Sequence, residues 1–115
     1  MRLTFHLTPL ETWRATADDP LAALTAPSLA AEGFIHCTDG VDAMVATANR
    51  HYRADPRPFV VLAIDLDRAG SPWRVDDPGG IYPHVFGPIA RSAVLGMSPM
   101  PRAADGTFLA FDPPV

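Results

Sequence analysis

The sequence predicts one α+β domain over residues 1–115. Helical spacing of apolar residues is concentrated in the first half of the chain, whereas short apolar runs of strand length dominate the second. Thirteen prolines in 115 residues interrupt any long helix and require many loops. An apolar fraction of 48% is enough to build a core and argues against disorder.

The elements follow in order. RLTFHLT sets Leu3, Phe5 and Leu7 against Arg2, Thr4 and His6, the period of a half-buried strand. His6 then points away from the apolar face and is a candidate for lining a site. Thr8, Pro9 and Glu11 resemble a capping box with proline at the first helical position. The helix they open should run through Trp13 to about Ala17 and stop before Asp18, Asp19 and Pro20. LAALTAPSLAAEG is broken by proline; Ser28 can cap one turn that Gly33 ends. Phe34 to Cys37 read as a short strand, and Asp39 can cap the next helix. There Val41, Met44, Val45 and Ala48 form an amphipathic stripe, so Met44 is a packing residue. Asn49, Arg50 and Arg53 lie off it.

After the breaker ADPRP, FVVLAID is apolar and β-branched, as a central strand should be. Trp73 to Val75 form another short strand before the loop DDPGG. HVFGPI and AVLGM are further strands, with Gly87 and Pro88 marking a bulge or an edge. ADGT signals a turn into a last strand, TFLAF.

Charge narrows the function classes. A net charge of −4, with no run of basic residues, provides no extended surface for nucleic acid. A local arginine cluster could still hold one phosphate. The single cysteine excludes an internal disulfide and fits a reducing cytosol. MRLTFHLTPLE has no long apolar h-region, and no stretch reaches the roughly 18 apolar residues of a membrane span. A soluble, cytoplasmic protein is expected.

Two stretches could carry chemistry. In GFIHCT, strand alternation puts Phe34, His36 and Thr38 on one face and Ile35 and Cys37 on the other. A histidine beside a hydroxyl at a strand end suits a ribose hydroxyl. The competing reading is a buried histidine satisfied by backbone carbonyls. Cys37 has no base beside it and belongs to the core. In DDPGGIYPHVFGP, Asp76 and Asp77 precede a flexible turn, and Tyr82, His84 and Phe86 alternate onto one face. The two aspartates read equally well as part of a solvated loop. No HxH, HExxH or CxxC spacing occurs, so no metal is expected. Gly-rich phosphate loops and the GxSxG elbow are also missing.

With GFIHCT, the helix end ANRHY, the strand FVVLAID, YPHVFGP and ADGTF, the chain resembles the family called domain of unknown function 952. Trp13, Glu32 to Thr38, Ala48 to Tyr52, Val61 to Asp65, Tyr82 to Pro88 and Asp105 to Phe108 match its pattern in order. Two positions depart: the usual glutamate after the Trp73 strand is replaced by Asp76 or Asp77, and Phe86 stands where a tyrosine is usual. The resemblance implies an ADP-ribosyltransferase-like fold: two main helices and a split, curved sheet of mixed or antiparallel strands. It further implies that HCT is a variant of a His-Gly-Ser/Thr step, with His36 and Thr38 on an NAD ribose. Asp76 or Asp77 would then stabilise an oxocarbenium-like transition state, and Tyr52 or Tyr82 would stack on nicotinamide.

The expected site is therefore a nucleotide-accepting cleft lined by His36, Thr38, Arg50 and His84, with Arg50 or Arg53 on phosphate. NAD is its possible substrate, in ADP-ribosyl transfer or NAD glycohydrolysis. The alternatives are a binding module for a nucleotide or small metabolite, and a metal-independent hydrolase using His36 or His84 as general base.

Overall fold

FVVLAID is apolar from Phe59 to Ile64 because both of its faces are covered. In the computed structural model, which describes residues 1–115, it forms the central strand of a three-stranded antiparallel sheet. The chain order is β1 (Leu3–Pro9), α1 (Leu10–Ala17), α2 (Pro27–Glu32), β2 (Ile35–His36), α3 (Val41–Tyr52), β3 (Phe59–Asp65), β4 (Trp73–Val75), β5 (Pro83–Val85) and β6 (Val94–Pro99). Short 3₁₀ turns at Leu66–Arg68 and Arg91–Ala93 precede β4 and β6. The first sheet has the order β1-β3-β6 and the second β2-β5-β4, with every pairing antiparallel. The α+β class holds, with the sheet split in two. No helix is long and apolar enough to cross a membrane.

Alternation along β3 divides the core. Val60, Leu62 and Ile64 point to one side, where they meet Trp13, Leu24, Ile35, Cys37 and Val85. Phe59, Val61 and Ala63 point to the other, against Phe5, Met44, Ala48, Met100, Phe108 and Phe111. The second sheet and α1 cover the first side, and α3 covers the second. The Met44–Ala48 stripe is the buried face of α3, as its spacing requires.

This sandwich corrects β1. It is not half-exposed: Thr4, His6 and Thr8 are 1%, 5% and 5% exposed, because the second sheet covers the face the alternation leaves to solvent. The helix starts also differ. Pro9 is itself the N-cap of α1, and Ala26 precedes Pro27 at the start of α2, so neither Thr8 nor Ser28 caps. Asp39 does not cap α3 because Arg2 takes both its oxygens, at 3.0 and 2.7 Å; Gly40 holds the N-cap position with φ 87°. Gly33 ends α2 in the left-handed conformation, φ 90°, as expected.

The expected last strand, TFLAF, is not one. Phe108 makes a lone bridge to Arg102, and the Asn49 side chain supplies what a neighbouring strand would. Its Nδ2 donates to the Phe108 carbonyl at 3.1 Å, and its Oδ1 accepts the Phe108 N–H at 2.7 Å. HVFGPI likewise stops pairing as a strand at Val85, before Gly87 and Pro88.

Arg102 locks the segment in place. Its guanidinium donates to the carbonyls of Tyr52, Arg53, Asp55, Arg57 and Gly106, and lies 4.2 Å from the Phe108 ring centroid. Arg102→Ala is expected to destabilise the protein by about 2–4 kcal/mol in urea denaturation, because five carbonyls lose one shared donor. Arg102→Lys should recover only a small part, since an ammonium cannot span the same fork.

Candidate functional site

Strands β2 and β5 pair with His36 directly opposite His84. The Cys37 N–H donates to the Pro83 carbonyl at 2.9 Å and that of Asp39 to Ile81 at 2.8 Å. These bonds place the hydrogen-bonded positions at Cys37 and Asp39, so His36 and His84 occupy a non-hydrogen-bonded pair, where side chains stand closest. Their ring centroids are 5.4 Å apart at 77°. Phe34 stacks on His84 at 4.0 Å and 12°, and meets His36 edge-on at 4.9 Å. Phe86 extends the aromatic face, 5.7 Å from Phe34.

Charged groups border this face. Gly33 turns the chain so that Glu32, at the end of α2, returns to the His36 ring, with Oε2 2.8 Å from Nε2. A carboxylate oxygen accepts, so Nε2 carries a proton directed at Glu32. On the far side Arg74, which pairs with His84 across β4 and β5, lies over Phe86 at 4.6 Å. Its Nε donates to both Asp76 oxygens, at 3.1 and 2.8 Å. The arrangement is an open platform: two imidazoles, two phenyl rings, two carboxylates and one guanidinium.

A family model described as "Protein of unknown function (DUF952)" matches residues 7–97. The chain belongs to the DUF952 family. Its fold is similar to the crystal structure of protein CC0527 from Caulobacter crescentus, with a TM-score of 0.74 at 22% identity over 94% of both chains. The solution structure of CC0527 gives 0.66 at 23% identity, covering 92% of this chain and 90% of that one. At that identity the likeness establishes the fold alone. No curated protein matches the sequence.

In this DUF952 chain the residues expected around one cleft are dispersed. His36 and His84 come together, but Thr38 does not join them: it is 2% exposed. Cys37 and Asp39 still bond towards β5, and Thr38 between them exchanges main-chain hydrogen bonds with Phe5 of β1, which buries it at the junction of the two sheets. Arg50 is exposed on the last turn of α3, Arg53 pairs with Asp105 at 3.2 Å, and Tyr52 packs 5.1 Å from Phe59. Residues 41–52 of α3 span about 18 Å at 1.5 Å each, which carries these three away from the strand end that holds His36. Cavities of about 40 and 450 Å³ exist, but neither histidine lines them.

The two aspartates separate as well. Asp77 closes the DPGG turn by accepting the N–H groups of Ile81 and Tyr82 at 3.0 and 2.9 Å. The bond from Ile81 is foremost in holding its carboxyl below the usual range. Both oxygens are thus engaged. Asp76 is the exposed one, held by Arg74, and Tyr82 is half-buried with its N–H on Asp77. Burial pushes the Cys37 thiol up to about 12, so it stays protonated in the core. Arg74 joins the platform without a sequence signal of its own, and Glu32, although it opens the matching family stretch, is not among the residues expected at the site. Glu32 requires the Gly33 turn, and Arg74 requires the β4–β5 register.

Burial first, and then the charge of His36, lower the pKa of His84; Asp76, Asp77 and Glu32 oppose the shift. A base whose folded pKa is depressed stabilises the fold above its unfolded pKa, and that contribution is lost as pH falls through the folded value. His84 is therefore expected to titrate below an ordinary histidine when followed by proton NMR. In His36→Gln its midpoint should rise by about half a pH unit, the size of a unit charge 5–6 Å away in water.

Proposed function

We propose that the His36–His84 platform binds a small, phosphate-bearing aromatic molecule of the nucleotide class and hydrolyses it by histidine acid–base chemistry. The observation that carries this reading is the approach of two imidazoles to 5.4 Å in unlike surroundings. His84, whose pKa burial lowers, is suited to take the proton of an attacking water. His36, its Nε2–H directed at Glu32, can donate from Nδ1 to the departing oxygen when the ring is protonated. Water attacks phosphorus, the ester P–O bond breaks, and one proton enters at His84 while another leaves at His36. Phe34 and Phe86 provide stacking surface, and Arg74 a guanidinium for phosphate.

A second reading, attack of water or an acceptor at the anomeric carbon of NAD, is supported by the ADP-ribosyltransferase-like architecture the resemblance implies. Glu32 and Asp76, carboxylates beside the two rings, favour it. In that case the ligand is bound by His36 and the charge of the oxocarbenium ion is met by one of these two groups. If neither bond is cleaved, the platform is a binding module for the same ligand class.

Titrating ¹⁵N-labelled protein with AMP, ADP-ribose, NAD and inorganic phosphate, and separating the products by chromatography, tests all three. The expected result is perturbation of the His36, His84 and Phe34 signals together with release of phosphate. Release of nicotinamide from NAD selects the second reading instead, and perturbation without product selects the module. His36→Ala and His84→Ala should each lower turnover by roughly 100-fold or more with near-normal melting. No perturbation of the platform by any of the four compounds would refute the nucleotide reading.

A further inference from the structure

Beneath the platform lies a third histidine. His6 is 5% exposed, and its Nδ1 is 2.8 Å from the main-chain carbonyl oxygen of His36. A carbonyl only accepts, so Nδ1 must carry the proton, and in the neutral ring Nε2 holds the lone pair. The strand geometry explains why this bond exists. At a non-hydrogen-bonded position, the carbonyl of His36 points away from β5 and towards β1. Main-chain pairing with β1 begins only at Thr38, which bonds Phe5. His6 supplies the donor that the ladder lacks at His36.

His6 also lines the cavity of about 40 Å³, with Thr8, Thr12, Thr16 and Thr25. No carboxylate lines that cavity, burial lowers the pKa of His6, and the bond to the His36 carbonyl selects the Nδ1–H tautomer of the neutral ring.

We propose that His6 is the positioning residue of the histidine pair, anchoring the His36 main chain so that its imidazole stays opposite His84. The inference rests on the platform being the working site, but the anchoring can be measured without any ligand. Asparagine and glutamine separate the two ring nitrogens: the Asn amide nitrogen falls near Nδ1, and that of Gln near Nε2. His6→Asn should hold the His36 carbonyl, and His6→Gln should release it.

The readout is the titration midpoint of His84, which faces His36, Glu32, Asp76 and Asp77. It is expected to stay at the parent value in His6→Asn and to rise in His6→Gln, by at most the roughly half unit that removing the His36 charge altogether would give. Equal midpoints in the parent and both folded variants would overturn the proposal. Should His6→Gln not fold, the ¹⁵N shifts of the parent decide. An Nδ1–H tautomer of His6 supports the anchor, and an Nε2–H tautomer overturns it. Failure of the parent to bind any nucleotide would end the nucleotide reading and leave this titration result standing.

Discussion

The arrangement turns on one reciprocal pair of main-chain hydrogen bonds. The N–H of Phe5 donates to the Thr38 carbonyl at 3.0 Å, and that of Thr38 to the Phe5 carbonyl at 2.8 Å. This bridge joins the end of β2 to the middle of β1 and so suspends the second sheet over one face of the first. Arg2 reinforces the seam through its fork on Asp39 and lies 5.7 Å from the Trp73 ring. The space between the sheets fills with Ile35, Cys37 and Val85 from above and Val60, Leu62 and Ile64 from below. Strand alternation then leaves His36 and His84 on the outer face, facing solvent. Their presentation is thus a consequence of which side of β2 the core takes.

Much of this was legible in the sequence, and the exceptions share a cause. The helical stripe of α3, the central strand FVVLAID and the left-handed stop at Gly33 depend on neighbours within a few residues, and local spacing reports them. The meeting of His36 and His84 was also expected, since each alternates onto a polar or aromatic face of its own strand. Thr38 is the instructive exception. Alternation puts it beside His36, but Thr38 is hydrogen-bonded to β1 on one edge while its neighbours bond towards β5 on the other, so it lies buried at the sheet junction, which a period of two does not report. TFLAF has the composition of a strand, yet the main chain of its Phe108 is met by Asn49, a side chain fifty-nine positions away. The places of Glu32 and Arg74 escape local spacing for the same reason: a turn geometry and a cross-strand register decide them.

The buried polar groups of β1 follow from the same seam. Thr4, His6 and Thr8 alternate with Phe5 and Leu7, a pattern that ordinarily marks a solvent face. The second sheet covers that face, so its polar groups need partners. For His6 the partner is an unpaired carbonyl at the sheet junction. A leucine there would fill the volume and leave the carbonyl of His36 unmet, which costs about 1–3 kcal/mol for a buried acceptor. The polar residue in the apolar layer is therefore matched to a defect in the ladder.

The platform itself runs against stability. Two imidazoles 5.4 Å apart repel when both are protonated, and stacking one of them under Phe34 raises the cost of charging it. A surface selected only for solubility would separate these groups or replace one by a neutral side chain. Instead Glu32, Asp76 and Arg74 are arrayed so that each histidine has a carboxylate nearby and the outer carboxylate is already neutralised. Because Arg74 holds Asp76, an incoming anion must compete for the guanidinium. Glu32 takes the Nε2–H of His36, whose ring is about half exposed. The charges of this face are thus paired with one another at the surface and not with the core.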